Sequence, residues 1–148
     1  MRRVAGTITI AVLLAVPAAA PAAPGPGAQL AQAQARFRHA HIGSYALRVH
    51  WCCADAGSGY TGASGEGDGV VMVRRGRTVH HVATAHFGRV GKIADLFRIV
   101  RRNLRRDDVH VRFDKHTGVP LSFSFDTRGI ADSRRAFTVT HFHRIPAR

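Results

Sequence analysis

Apolar and polar residues alternate along several short segments of this chain, and this period-two pattern constrains the fold more than any other feature. From Tyr45 to Cys52 an apolar side chain occupies nearly every second position. The same alternation recurs over Val109–Phe113 and Leu121–Phe125. Successive side chains of a strand point to opposite faces of a sheet, so the pattern predicts strands with one face in a core and the other in solvent.

Three further strands complete the predicted sheet. Val70–Arg74 and Thr78–Thr84 flank Arg75-Gly76, a two-residue connection typical of a tight hairpin because glycine tolerates a positive φ. A last strand is predicted from about Ala136 to Ile145. The strands therefore fall into two groups of three along the chain.

Two segments have the residue spacing of amphipathic helices. The Ala/Gln-rich stretch Ala28–His41 has a narrow apolar stripe. In Val90–Arg105, apolar residues recur at i, i+3, i+4, i+7 and i+11 from Ile93, and arginines lie near the C-terminal end of the helix dipole. The order helix, three strands, helix, three strands predicts an α+β domain. In it, an antiparallel sheet of about five to six strands has two helices packed on one face.

The first 22 residues have the layout of a secretory signal peptide. Met1-Arg2-Arg3 is basic, Ile8–Val16 is an apolar run too short to span a bilayer, and Ala20-Pro21-Ala22 is a small-x-small cleavage site. We expect cleavage after Ala22, a flexible leader over residues 23–27 and a single α+β domain over residues 28–148. Because no later stretch is apolar enough to cross a membrane, the sequence predicts a secreted protein at the exterior of the cell envelope.

The chain is strongly basic, with 22 Lys and Arg residues, 9 Asp and Glu residues and a formal net charge of +13. Such a charge attracts polyanions through a long-range field that salt screens. For an exported protein these polyanions are cell-wall polymers, anionic lipid head groups and, more rarely, extracellular nucleic acid. Abundant Ala, Gly and Arg, with Lys92 and Lys115 as the only lysines, are also typical of a GC-rich genome. The charge therefore has a compositional explanation as well.

The two cysteines, Cys52 and Cys53, are adjacent. Consecutive Cα atoms lie about 3.8 Å apart across a trans peptide, below the usual lower limit of about 4.4 Å for a disulfide. A vicinal disulfide would therefore need a strained ring, and the alternatives are two thiols or an intermolecular bridge. We expect an unbridged or variably oxidised pair.

Several short motifs, taken in order and spacing, give the chain a family resemblance. They are Ser44-Tyr45 before the cysteine-ended strand, Arg75-Gly76-Arg77, Ile93-Ala94-Asp95-Leu96-Phe97, Val111-x-Phe113-Asp114-x-x-x-Gly118-x-Pro120, Phe125-Asp126 and Ile130-Ala131-Asp132. Over about Phe37 to Phe142 the chain resembles domain of unknown function family 6174, found mainly in exported proteins of GC-rich bacteria. The resemblance implies no established activity, ligand or catalytic residue. The chain departs from the family pattern in two places. Its two cysteines are adjacent rather than separated by one residue, and Arg134-Arg135 replace the usual acidic residues.

No motif in the sequence indicates catalysis or a cofactor. Gly57–Gly62 matches G-x-G-x-x-G after a predicted strand, but a dinucleotide site also needs a helix to begin at once, and the following residues are glycine-rich. No serine lies in a nucleophile elbow, and the predicted strands offer no paired carboxylates. We therefore expect a non-catalytic protein with no cofactor and no bound nucleotide.

A metal-binding or thiol-dependent function is the alternative. His141 and His143, at i and i+2 of the last strand, could bind zinc or copper through neutral imidazoles together with Cys52. Cys52 also shares a strand face with His50, an arrangement that could activate its thiol. His141 and His143 are in phase with Phe137, so they face the core unless a bulge shifts them.

Basic and hydroxyl residues share the phase that points away from the predicted core. Such side chains can receive carboxylates or phosphates through charge-assisted hydrogen bonds. We therefore hypothesise a basic sheet face that binds an anionic partner, either a protein or a cell-wall polymer, and we do not expect nucleic acid. A face that is simply solvated is the alternative. The candidate binding residues are Arg48, His50, His110, Arg112, Ser122 and Ser124.

Overall fold

The computed structural model of the chain describes residues 23–52, 65–84, 86–126 and 134–146. The predicted signal peptide, Cys53 and the motif Gly57–Gly62 lie outside these residues. The described part of the chain forms, in order, α1 (Pro26–His39), β1 (Tyr45–Cys52), β2 (Gly67–Arg74), β3 (Arg77–His80), β4 (Val82–Thr84), β5 (Gly88–Val90), α2 (Ile93–Asn103), β6 (Asp107–Phe113), β7 (Pro120–Asp126) and β8 (Arg135–Arg144).

Six strands form one antiparallel sheet in the order β3-β2-β1-β8-β7-β6. β1 and β8, which are far apart in the sequence, lie side by side at the centre. β3 and β6 lie at opposite edges, so the chain segment that contains α2 passes from one edge of the sheet to the other. β4 and β5 pair with each other in a separate two-stranded sheet that was not predicted.

Both helices pack on the same face of the main sheet, which we call the inner face. α1 contributes Leu30 and Ala33 to the core, and α2 contributes Ile93, Leu96 and Val100. The predicted α+β class, with two helices on one face of an antiparallel sheet, is therefore confirmed. The residues of the main sheet that belong to the same buried cluster are Tyr45, Leu47, Val49, Val71, Val73, Phe123, Phe125, Phe137 and Val139.

Both helix predictions are correct in type and differ at the ends. The first helix covers Pro26–His39 rather than Ala28–His41, because proline is well suited to the first helical turn, where its missing N–H needs no partner. The second covers Ile93–Asn103 rather than Val90–Arg105, and Val90 is the last residue of β5. No helix in the described ranges is long and apolar enough to cross a membrane.

The start of α2 is fixed by two oxygen acceptors. Asp95 Oδ2 accepts hydrogen bonds from the backbone N–H groups of Gly91 (2.9 Å) and Lys92 (3.0 Å). Tyr45 Oη accepts a buried hydrogen bond of 2.9 Å from the Ile93 N–H. Burial is the main cause that raises the pKa of Tyr45, partly offset by this hydrogen bond. The acceptors satisfy N–H groups that have no partner within the helix, so β1 and α2 are tied together at this point.

The hairpin prediction is confirmed at the turn but not beyond it. Arg75 and Gly76 have positive φ angles of 46° and 75°, as a two-residue turn between antiparallel strands requires. The predicted strand Thr78–Thr84 is instead two strands, because β3 ends at His80 and the chain leaves the sheet edge before Val82.

β2 begins before the strand that the sequence predicts from Val70. Its first residue is Gly67, three positions before the predicted start of the strand. A Cβ at Gly67 would lie 2.6 Å from the indole ring of Trp51, and a Cβ at Gly69 would overlap the side chain of Val82. The glycines therefore make room on the inner face for the side chains of Trp51 and Val82.

The turn between β6 and β7 packs against α1. Asp114 Oδ1 accepts hydrogen bonds from the hydroxyl (2.7 Å) and N–H (2.7 Å) of Thr117 and from the N–H of His116 (3.1 Å). The pKa of Asp114 lies below its ordinary value, mainly because of the Thr117 hydroxyl. Gly118 follows with a φ of +74°, and a Cβ there would overlap the backbone carbonyl oxygen of Ala33 in α1.

Candidate anion-binding face

The face of the sheet opposite the helices, which we call the outer face, carries all six candidate binding residues. Directly opposed residues of paired strands share a face. Arg112 lies opposite Ser122, Ser122 opposite Thr138, and Thr138 opposite His50. These four residues form one row across β6, β7, β8 and β1.

The remaining candidates lie on either side of this row. His110 is opposite Ser124, which is opposite Ala136, which is opposite Cys52. Arg48 lies on β1 on the other side of the first row. Adjacent strands are about 4.8 Å apart, so β6 and β1, three strands apart, are separated by roughly 14 Å. The six residues therefore share one face without forming one compact site.

A depression of about 360 Å³ lies over β6, β7 and β8. Small side chains of β7 and β8 line its middle, and long basic side chains flank them. Arg134 Nη2 donates a hydrogen bond of 3.2 Å to Ser124 Oγ. We call this depression the β6–β8 trough, and we define it by the polar-face residues His110, Arg112, Ser122, Ser124, Arg134, Ala136 and Thr138.

His141 and His143 lie on the outer face and not in the core. The register between β1 and β8 shifts by one residue, so that Val49 is opposite Val139 while Arg48 is opposite His141. An extra residue in one strand reverses the phase of every side chain that follows it. Simple alternation would place both histidines in the core, and that placement is wrong. The alternative that the sequence left open, a bulge in the last strand, is the one observed.

These two histidines line a second depression of about 360 Å³. Both are exposed, and they lie opposite Arg48 and Ala46 of β1. Val70 is opposite Arg48 on the other side, and its side chain is 37% exposed. We call this depression the β1–β8 pocket, and its lining residues are Ala46, Leu47, Arg48, Val70, His141 and His143.

His50 lies beside acidic rather than basic groups. Its Nδ1 is 3.4 Å from Asp68 Oδ2, and its Nε2 is 3.7 Å from Glu66 Oε1. The carboxylates add negative charge at this end of β1. The positive charge of the outer face is therefore concentrated elsewhere, around the trough and around Arg48.

Cys52 is disulfide-bonded, whereas the sequence led us to expect an unbridged or variably oxidised pair. Cys53 lies outside the described residues. The Cα spacing of adjacent residues makes an unstrained disulfide difficult, but it does not keep Cys52 reduced. Metal binding and nucleophilic chemistry both use the thiolate, which a disulfide-bonded sulfur cannot supply.

The alternative metal ligands are not brought together. Cys52 lies four residues along β1 from Arg48, the residue opposite His141, which corresponds to roughly 13 Å. Within the part of the chain that the structure describes, no group of three or more His, Cys, Asp or Glu side chains could hold a metal ion. His141, His143 and Cys52 therefore do not form a common site.

A third depression of about 420 Å³ lies between the two helices. Phe37 and Phe97 line it, together with three arginines. Arg98 is paired with Asp95 at 2.9 Å and Arg101 donates to Gln34, so two of the arginines already have partners within the protein. The outer face is therefore the stronger candidate for recognition of an anion.

Sequence reasoning missed three residues of the trough, Arg134, Ala136 and Thr138. Thr138 alternates with Phe137 and Val139, so its place on the polar face could have been found from periodicity alone. Arg134 precedes the predicted last strand, and its reach to Ser124 depends on how β7 and β8 pair. No sequence signal marks that contact.

The described residues define an α+β protein in which two helices cover one face of an antiparallel sheet and the other face has two depressions lined by arginine and histidine. The family model "Family of unknown function (DUF6174)" matches residues 29–144. The chain belongs to this family, which confirms the resemblance noted in the sequence. No curated protein and no solved structure matches the chain.

Proposed function

We propose that this protein is an exported, non-catalytic binding module that recognises an anionic partner through the outer face of its sheet. The observation that carries the proposal is the β6–β8 trough, in which His110, Arg112 and Arg134 flank the hydroxyls of Ser122 and Ser124. Export rests on the signal-peptide layout of the first 22 residues.

The donor chemistry of the trough suits anionic oxygens. A guanidinium such as that of Arg112 presents several N–H donors in a plane that matches a carboxylate or phosphate. Ser124 is buried, and its Oγ accepts a hydrogen bond from Arg134 Nη2. This contact holds the Arg134 guanidinium over the trough, where its other N–H groups can donate to a ligand.

The spacing of the positive groups favours a partner with repeated charges. Arg112 on β6 and Arg48 on β1 are separated by three strand spacings and by two residues along the strand direction, roughly 16 Å in total. A single small anion contacts one of them, whereas a chain of anionic groups contacts both. A cell-wall polymer is the partner that fits both this spacing and the proposed exterior location, and an acidic protein is the competing one.

Charge reversal in the trough tests the proposal. We expect Arg112→Glu with Arg134→Glu to weaken binding to immobilised polyphosphate at least about tenfold at low salt, because two favourable charge contacts become repulsive. Binding of the unmodified protein should fall steeply as NaCl rises. Poly-L-glutamate in place of polyphosphate tests the acidic-protein alternative.

Arg102→Glu with Arg105→Glu is the matched control, since it changes the net charge equally at exposed positions around the end of α2. We expect this control to bind polyphosphate within about threefold of the unmodified protein. If both double variants remain folded by circular dichroism and lose affinity for polyphosphate equally, the outer face is only a solvated surface and the proposal is refuted.

A further inference from the structure

We infer that the β1–β8 pocket is a second, separate anion site, that it binds an organic sulfate or phosphate ester, and that protonation of its two histidines switches it on. This inference goes beyond the proposed function and shares Arg48 with it, but it does not depend on the β6–β8 trough. It rests on three features of the pocket: the convergence of Arg48 with His141 and His143, the exposed apolar surface of Val70, and the charges of the surrounding strands.

The bulge in β8 creates the convergence. Arg48 is directly opposite His141, and His143 lies two residues further along the same face of β8. Directly opposed side chains in an antiparallel pair have Cβ atoms about 5 Å apart, and diagonal neighbours about 7 Å. One tetrahedral oxyanion can therefore accept hydrogen bonds from all three side chains. All three line the same depression.

The apolar part of the pocket selects for an ester over a free ion. Val70 lies opposite Arg48 on β2 and is 37% exposed, so it presents apolar surface next to the cationic groups. Ala46, opposite His143, leaves space next to it. The organic group of an ester can cover this apolar surface while its oxyanion meets the cationic groups, and an inorganic ion cannot.

The pocket changes its charge with pH because histidine gains a proton between pH 8 and pH 5. With both imidazoles neutral, Arg48 is the cation of the lining; with both protonated, the lining carries three positive charges. Asp68 is the carboxylate nearest along β2, and it is engaged with His50. Besides His141 and His143, the charged or titratable side chains on the surrounding strands are Tyr45, Arg48 and His50 on β1, Asp68 and Arg74 on β2, Arg77 and His80 on β3, and Arg135 and Arg144 on β8.

Binding of phenyl sulfate at two pH values tests the inference, because this probe keeps the same charge throughout the range. We expect the full chain to bind it about tenfold or more tightly at pH 5.5 than at pH 8, since one charge-assisted hydrogen bond corresponds to roughly that factor. His141→Gln with His143→Gln should reduce the ratio of the two affinities to below about twofold. His141→Lys with His143→Lys should bind at pH 8 as the unmodified chain binds at pH 5.5.

His39→Gln with His116→Gln is the matched control, because it removes two exposed histidines away from the outer face. This control should retain the full pH dependence. Equal affinity of the unmodified chain at both pH values, or an unchanged pH dependence in His141→Gln with His143→Gln, would overturn the switch.

Inorganic sulfate separates the free ion from the ester. We expect it to bind several-fold more weakly than phenyl sulfate, and equal affinity would overturn the ester assignment. The trough variant Arg112→Glu with Arg134→Glu should keep the pH dependence of phenyl sulfate binding. The experiments therefore distinguish a failure of the proposed trough function from a failure of the proposed pocket site.

Discussion

Replacement of Gly118 by alanine measures how closely the β6–β7 turn packs against α1. Gly118 has a φ of +74°, and a Cβ at this position would lie 2.9 Å from the Ala33 carbonyl carbon and would overlap its oxygen. The atoms that must move belong to the backbone of a helix, and they cannot rotate away as a flexible side chain would. Gly118→Ala therefore combines an unfavourable backbone conformation with a steric clash.

Gly76→Ala separates these two contributions. Gly76 has almost the same φ, +75°, but nothing lies within 4 Å of a Cβ at this position. A left-handed conformation costs a non-glycine residue roughly 1–2 kcal/mol, partly offset because alanine also restricts the unfolded chain. We expect Gly76→Ala to lower the free energy of unfolding by about 1 kcal/mol. Gly118→Ala should lower it by about 2–4 kcal/mol, because overpacking adds roughly 1–3 kcal/mol.

Urea denaturation at pH 7, followed by circular dichroism, gives both differences under the same conditions. The slope of the unfolding free energy against urea should be similar in the three proteins, so that the midpoints report stability alone. If the two alanine variants are destabilised equally, the contact between the turn and α1 does not contribute and the steric argument is wrong.

Two further predictions concern buried or hydrogen-bonded titratable groups. Tyr45→Phe should cost about 1–3 kcal/mol at pH 7, because the Ile93 N–H loses its buried acceptor. Burial raises the pKa of Tyr45, so the contribution of Tyr45 to stability is complete below about pH 10 and is lost as the pH rises through the raised value. Urea midpoints of the unmodified protein should therefore fall at alkaline pH, and those of Tyr45→Phe should not show this fall. An identical fall in both proteins would refute the role given to Tyr45. Asp114→Ala should cost about 1 kcal/mol at pH 7. The Thr117 hydroxyl is the main cause that lowers the pKa of Asp114 below its ordinary value of 3.8. The stability difference between the two proteins should therefore be complete above that ordinary value and shrink as the pH falls through the lowered one, and a difference that grows on acidification would contradict this.

Local periodicity was sufficient to predict most elements of this fold. Tyr45–Cys52 was predicted as a strand with its correct bounds. Arg75-Gly76 was correctly predicted as the hairpin turn that connects β2 and β3. These elements are determined by neighbouring residues, since side-chain alternation and positive-φ turns are properties of a few consecutive positions. The small β4–β5 sheet was missed because its strands have three residues each, too few to show a period.

The candidate site was predicted less completely, and the reason is tertiary. The outer-face position of Arg112 and Ser122 follows from alternation, but their alignment with Thr138 and His50 depends on the register of four strands. Register is set by long-range pairing, which a single sequence does not display. The contact between Arg134 and Ser124 depends on the same pairing.

The sequence by itself determined that this chain builds an antiparallel sheet with helices on one side and basic side chains on the other, because hydrophobic burial imposes a period that can be read residue by residue. Only the tertiary structure decided that β1 and β8 meet at the centre and that a bulge there moves His141 and His143 from the expected core to the side of Arg48. A one-residue shift in pairing reverses which face a side chain occupies, and that shift arises between strands that are far apart in the chain.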